Sequence, residues 1–477
     1  MKRLITILSI ISVALISCQQ NLVPDHPEIP ATSDEVMTKS LSAGKITPDD
    51  PVVFLSETET DFWSQVVSLE DRFKAFEVPA SRLSKMTTEA LAKSLLNYPL
   101  NYLVLAYDNP QDAVDLIIEN SPLHEEFLSR NDAVEVLVDL YAASDLDMSL
   151  DKSNYDGDYQ NLSYTNMIFV EHLLGSGILS TLGRSSVKEK LSVAVVAKLQ
   201  ARLNAPEVFS SFSIEPLRSI DEAESLNVMT TNERSSVIYY ETTIYTPWGQ
   251  PIVARVYNER TSTELAQLTS QATSAHPDAI VRGPATQRYN SHSYTWHNQA
   301  ADNNIWIETN YMGMNQVEKY WTNDLYEPSN LSTAEKAYYS ASHHSAIPLS
   351  NGKLISKWGN MPLMEHESDN CPYGGSITYY KRKSPSIHSM SVQGQTPVAM
   401  NQTYTYNVSG TLPGMSLEWE VRFMDAPSPT PFILNVSSDS RSATLECQEV
   451  GYYNIVVKGY RNGIQMAQGS LGVVCFP

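Results

Sequence analysis

The sequence predicts three structural classes in succession: an all-α N-terminal domain, an α+β middle domain and an all-β domain at the C-terminus. Three observations carry that expectation. From about residue 58 to 204 apolar residues recur at helical spacing and glycine is scarce. From about 237 the period changes to two, with one helical interruption before residue 280. Beyond 386 short alternating runs, broken by turn residues roughly every 8–12 positions, continue to the last residue. The length of 477 residues suits about three domains of ~150 residues each.

Residues 1–17 read as a signal peptide. Lys2-Arg3 is a basic start, and Leu4 to Ile16 is an apolar run too short to span a bilayer. It ends in Leu15-Ile16-Ser17-Cys18, which resembles a bacterial lipobox. That resemblance implies cleavage before Cys18 and lipid on its thiol, so that acyl chains attach the protein to a membrane. The expected location is the cell envelope, at the outer membrane or surface of a Gram-negative bacterium. Residues 18–56, with scattered Pro, Ser, Thr and Asp, are expected to form a flexible tether.

The formal charge is −21. Loss of Lys2 and Arg3 with the signal leaves 31 basic against 54 acidic residues, or −23. Such a surface argues against nucleic acid as a partner, because phosphate binding needs a basic face. With Cys18 lipidated, Cys371, Cys447 and Cys475 remain. An exported setting permits one disulfide among them, and Cys447 with Cys475 is the pair expected to bridge two late strands.

The helical domain is placed at 57–205, with about six helices. Asn109-Pro110 predicts an N-cap followed by an N1 proline, opening a helix over 111–118. Asn131 is the expected cap of the next helix, with Val134, Leu137, Val138 and Tyr141 on one face. Ser186-Val187-Lys188-Glu189 reads as a capping box. Acids crowd residues 107 to 158, but the spacing of a calcium loop is missing. Residues 206–235 read as a linker.

The middle domain, 236–383, opens with a hairpin. Strands at 237–246 and 252–257 flank the turn Pro247-Trp248-Gly249. The capping box Thr261-Ser262-Thr263-Glu264 starts a helix that His276-Pro277 ends. Residues 384–477 predict an immunoglobulin-like β-sandwich, with strands around 404–408, 417–421, 443–445 and 453–457. Gly451-Tyr452-Tyr453 fits the tyrosine-corner position of such folds.

The chemistry concentrates in Arg288-Tyr289-Asn290-Ser291-His292-Ser293-Tyr294-Thr295-Trp296-His297. Ser291 stands where a helix begins, a position in which the helix dipole and free N–H groups favour a nucleophile. A histidine on a strand would serve as its base. Strand residues alternate faces, so one of His343 and His344 can point at the site, and His344 is favoured. Past the turn 350–353 the next strand returns to Ser356, whose side chain would orient the imidazole; His366 is a second candidate for that role. Trp296 and Trp358 are candidates to line a substrate groove. No His-Glu-x-x-His or Cys-x-x-Cys pattern is present, so no metal and no cofactor is expected.

The segment from His344 through Ser350-Asn351-Gly352-Lys353 to Ser356 resembles the histidine strand, turn and third-residue strand of papain-like, NlpC-type amidases and peptidases. Residues from about 243 to 380 resemble more closely a group of secreted bacterial amidase-like domains, here on a Bacteroidetes-type lipoprotein. Those domains carry Tyr-Asn-Cys-His-Ser-Tyr-Ala-Trp, His-Ser-Ala-Ile, Ser-Lys-Trp-Gly and Cys-Pro-Tyr blocks. All four have counterparts here, at 289–296, 344–347, 356–359 and 371–373. The nucleophilic cysteine is replaced by Ser291, and the third position by Ser356. A serine hydroxyl in a site shaped for a thiolate needs strong base assistance. The resemblance therefore implies a degenerate amidase fold that binds peptide or cell-wall peptide without turnover. The alternatives are a slow Ser291–His344 amide or ester hydrolase, and an adhesive or assembly protein acting through the C-terminal sandwich.

Overall fold

The structure, a computed structural model, describes residues 47–54, 66–146, 161–177, 184–234, 238–322, 324–383, 388–424, 432–461 and 463–477. The signal peptide and the lipidation candidate Cys18 lie outside the described residues. Among the described residues no helix is long and apolar enough to cross a membrane.

The chain is helical first and antiparallel β thereafter. Eight helices organise the first part: α1 (Leu69–Ala75), α2 (Thr88–Leu96), α3 (Leu103–Ala106), α4 (Pro110–Asn120), α5 (Ala133–Ala143), α6 (Tyr164–Gly175), α7 (Ser185–Leu203) and α8 (Glu215–Glu224). α4 starts as the sequence predicts, with the Asn109 side chain accepting from Gln111 N before Pro110. Two expected caps are absent. α5 follows Asp132, whose carboxylate bonds to the Thr88 hydroxyl, and α7 follows Arg184; neither has a side-chain cap.

Two boundaries move. Val52 and Phe54, assigned to the tether, are buried, and the Phe54 ring meets Phe76 and Tyr98 edge-on at 5.9 and 5.4 Å. Residues 206–235, expected to be a linker, contain α8, whose Leu217 and Ile220 are fully buried. The short apolar side chains of both segments were too few to show a period, yet each finds a preformed core to join.

The second part opens with the hairpin β1 (Tyr239–Tyr245) and β2 (Pro251–Tyr257), close to the predicted limits. The capping box of α9 (Ser262–Ala275) forms as read: Thr261 accepts from Glu264 N, and the Glu264 carboxylate accepts from Thr261 N. The buried Glu264 also accepts from Tyr164 Oη at 3.1 Å, tying α9 to α6.

Next come β3 (Ile280–Gly283), β4 (Trp306–Ile307), β5 (Tyr326–Ser329), β6 (Lys336–Tyr339), β7 (His344–Pro348), β8 (Leu354–Lys357), β9 (Leu363–His366) and β10 (Ile377–Arg382). Seven of them build one antiparallel sheet in the order β3-β9-β8-β7-β6-β10-β5, while β4 extends the hairpin.

This sheet separates two cores. Tyr339, Ala346, Leu354 and Met364 share a cluster with Leu268 of α9 and with Leu95, Leu103 and Phe169 of the helical region. Tyr338 and Tyr380 project from the other face into a cluster with Trp296, Ile307 and Tyr320. The helical and α+β parts, expected as separate domains, are therefore built on one common core.

Residues 388–477 form a β-sandwich with its own core. Its strands are β11 (His388–Ser389), β12 (Ser391–Gly394), β13 (Val398–Ala399), β14 (Thr403–Ser409), β15 (Ser416–Phe423), β16 (Phe432–Val436), β17 (Ser442–Cys447), β18 (Gly451–Arg461) and β19 (Ile464–Phe476). One sheet runs β11-β19-β18-β15 with β13 also on β19; the other runs β12-β14-β17-β16. Tyr453 Oη donates to Glu449 O at 2.9 Å, the back-bond of a tyrosine corner. Cys447 and Cys475 come from opposite sheets, and both are free thiols here, so the expected disulfide is not formed. Arg461 reaches the β1–β2 turn, donating to Pro247 O at 3.1 Å, and Met466 enters the core behind Trp296.

Candidate functional site

Ser291 does begin a helical turn, over 291–297. Its cap is the preceding residue: Asn290 Oδ1 accepts from Ser293 N (3.1 Å) and from Ile307 N (3.2 Å). Ser291 is fully buried, and its Oγ receives the N–H of Ser345 at 3.4 Å. β7 and β8 pair only at Ile347–Ile355 and Pro348–Leu354, and beyond those rungs the Ser345 N–H turns to Ser291.

His344 is 2 % exposed and lies on β7, as predicted. Its ring stacks on Tyr373 with centroids 3.4 Å apart, and its Nε2 has no hydrogen-bond partner among the described residues. Burial holds it well below the ordinary histidine range, hence neutral. No hydrogen bond joins His344 to Ser291 among the described residues. Strand parity explains this: Tyr339 pairs with His344, so His344 projects toward the helical core, opposite to the face that packs on Trp296.

The expected third residue is also engaged elsewhere. Ser356 Oγ and His366 Nε2 stand 2.8 Å apart, Trp358 Nε1 donates to the same hydroxyl at 3.1 Å, and neither Ser356 nor His366 bonds to His344. His366, fully buried, is pushed down to about 4 and is held at Nδ1 by Glu367 O. Of the four site candidates, the structure therefore joins Ser356 to His366 and leaves Ser291 and His344 apart.

The imidazole beside the focal turn is His292. Trp296 Nε1 donates to Ser345 Oγ (2.8 Å), so the Ser345 hydroxyl gives its own proton to His292 Nδ1, 2.7 Å away. That leaves the ring proton on Nε2, facing Asp108 Oδ2 at 3.6 Å. Asn290 Nδ2 donates to the same carboxylate oxygen at 2.7 Å. Burial pushes Asp108 up to about 7 against the pull of Asn290, and pushes His292 down to about 3. Asp108 and Ser345 were not singled out from the sequence. Asp108 sits at the lip of α4, far away in the chain, and nothing local marks its partners.

The conserved-looking blocks prove to be fastenings. Lys357 is fully buried, and its ammonium donates to Thr286 O (2.9 Å), Gly359 O (2.6 Å) and Met361 O (2.5 Å). Gly359, at φ +46°, lies so close to the Ala106 carbonyl that a Cβ would overlap it. Asn360 N donates to Leu105 O at 3.2 Å and Tyr373 Oη to Ala106 O at 2.6 Å. The end of α3 is thus clamped across the sheet. Cys371 is buried with its thiol pushed up to about 12, an inert structural group.

Trp296 and Trp358, expected in a groove, are 4 % and 0 % exposed and belong to packed cores. The open space lies elsewhere. A cavity of about 840 Å³ runs between α4 and the β1–β2–β4 sheet, with Asp108, Arg260, His343 and Trp306 in its wall. Among the described residues no group of three or more His, Cys, Asp or Glu could hold a metal ion.

Residues 280–381, which span the sheet and the focal turn, match the model of a family described as a domain of unknown function, DUF7689. No curated protein matches the chain. A crystal structure of murine CEACAM1b is similar over 32 % of this chain and 84 % of its own, at 10 % identity and a TM-score of 0.16.

Proposed function

We propose that the protein is an exported, lipid-anchored envelope protein whose region 236–383 is a papain-like amidase scaffold that binds peptide, including cell-wall peptide, without cleaving it. An immunoglobulin-like sandwich supports it on one side and the helical region roofs it on the other. The observation that carries this reading is the pairing of a sealed, unassembled nucleophile position with an open cavity. Ser291 is buried with its oxygen occupied by the Ser345 N–H, and no imidazole lies in hydrogen-bond reach. About 840 Å³ of space remains beside it, within the usual range for a ligand site. Its walls carry Tyr239, Tyr257 and Trp306, flat surfaces suited to a peptide.

The full chain, incubated with peptides released from peptidoglycan, is expected to bind them saturably and return them intact. Tyr239→Ala, in the aromatic wall, should weaken binding several-fold. A fluorophosphonate should leave Ser291 unlabelled. Labelling at Ser291, or cleavage of the peptides, would overturn the reading in favour of a hydrolase.

A further inference from the structure

The cavity wall is unbalanced in charge. Asp108, Asp112, Asp115 and Glu119 face it from α4 and its lip, at spacings of four, three and four that place them on one side of the helix. Glu215 and Glu308 add two more carboxylates from the other walls. Arg255 and Arg260 are the arginines lining it, and both are spent internally. Arg255 pairs with Glu308 at 3.1 Å, and Arg260 donates to Gln287 (3.0 Å) and Tyr164 (3.1 Å). No lysine lines the cavity among the described residues. The stripe on α4 therefore has no basic counterpart opposite it.

A row of acids on a helix is ordinarily a solvated face. Asp108 is different. Its side chain is 10 % exposed, and its Oδ1 has no hydrogen-bond donor in the structure. A buried carboxylate oxygen without a donor is costly, and its cost is recovered when a charged donor arrives. Around it stand the rings of Tyr107, Tyr257 and Trp306, whose faces also attract cations.

We propose that the cavity binds a ligand bearing an ammonium group, with Asp108 as its innermost anchor and Asp112, Asp115 and Glu119 as the acidic approach. The inference rests on the cavity being a peptide site, and adds the feature it selects: a basic side chain. The acids accept hydrogen bonds from the ammonium, while the aromatic wall covers the methylene stem.

The test uses the full chain and a fluorescent pentapeptide with one lysine, beside the same peptide acetylated at Nε. Acetylation removes the charge and keeps the chain. The lysine form is expected to bind at least ten-fold more tightly. Asp108→Asn should abolish that preference. The exposed pair Asp112→Asn with Glu119→Gln, which leaves packing untouched, should reduce it two- to five-fold. Equal binding of the two peptides, or an undiminished preference in both variants, overturns the ammonium site and leaves peptide binding standing. Failure of both peptides and of the peptidoglycan peptides overturns the two readings together.

Discussion

Ser291 illustrates how much a single position depends on what covers it. Its place at the head of a helical turn is legible in Asn290-Ser291, because a capping residue and a following apolar run are local signals. Its chemistry is not, since the group that reaches it is the backbone of Ser345, 54 residues away. Ser291→Cys should accordingly yield a buried, unactivated thiol. Iodoacetamide is expected to modify it on the order of ten-fold or more slowly than a surface cysteine. His344→Ala in that background should leave the rate unchanged. Rapid alkylation that His344→Ala slows would instead establish a working pair. Lys357 makes the same point in reverse: a lysine within the block 356–359 reads as a functional charge, yet three carbonyls consume its donors.

Among elements, α3 and β7 decide the character of the site. α3 is a short apolar run, Leu103–Ala106, with no polar face, so its sequence says only that it is buried. In the fold it lies over the sheet, held by Asn360, Tyr373 and the bare Cα of Gly359. Gly359→Ala should push α3 away, costing about 2 kcal/mol or more in urea unfolding and speeding amide exchange at 103–108. Unchanged exchange there would show that the clamp bears no strain. For β7, alternation correctly limited the choice to one histidine of two. The face that His344 takes follows from its register with Tyr339, which no local pattern contains.

For the whole molecule, one core joins the helices to the sheet while the sandwich keeps its own. Residues 388–477 produced alone should unfold in a single cooperative transition. Residues 236–383 alone should aggregate or bind a hydrophobic dye, because Leu268, Ala346, Trp358 and Met364 lose their cover. A soluble, cooperatively folding 236–383 would refute the common core. The buried histidines set the response to acid. His124, His292 and His366 are fully buried, and burial holds them at about 3, 3 and 4, below the unfolded value of 6.5. The unfolded chain therefore takes up protons first, and stability present above pH 6.5 is lost as the pH falls. Each imidazole costs about 2 kcal/mol by pH 5. Asp108, raised from 3.8 to about 7, acts in the opposite sense and is lost as pH rises toward 7, offsetting about one of the three. The urea midpoint should drop steeply between pH 6.5 and 4.5; a flat profile would mean that these rings are not neutral and enclosed.

The order of classes, the hairpin at 239–257, the capping boxes and helix starts that rest on neighbouring residues, and the sandwich strands were all determined by the sequence alone. Each depends on interactions spanning only a few positions, which leave a periodic trace. The tertiary structure alone decided that Val52 and α8 join the helical core, that Asp108 meets His292, that His344 turns away from Ser291, and that open space lies under α4. Those outcomes depend on which faces meet once the chain has closed on itself. The driving force for that closure, burial of apolar area, has no direction and leaves no mark on local spacing.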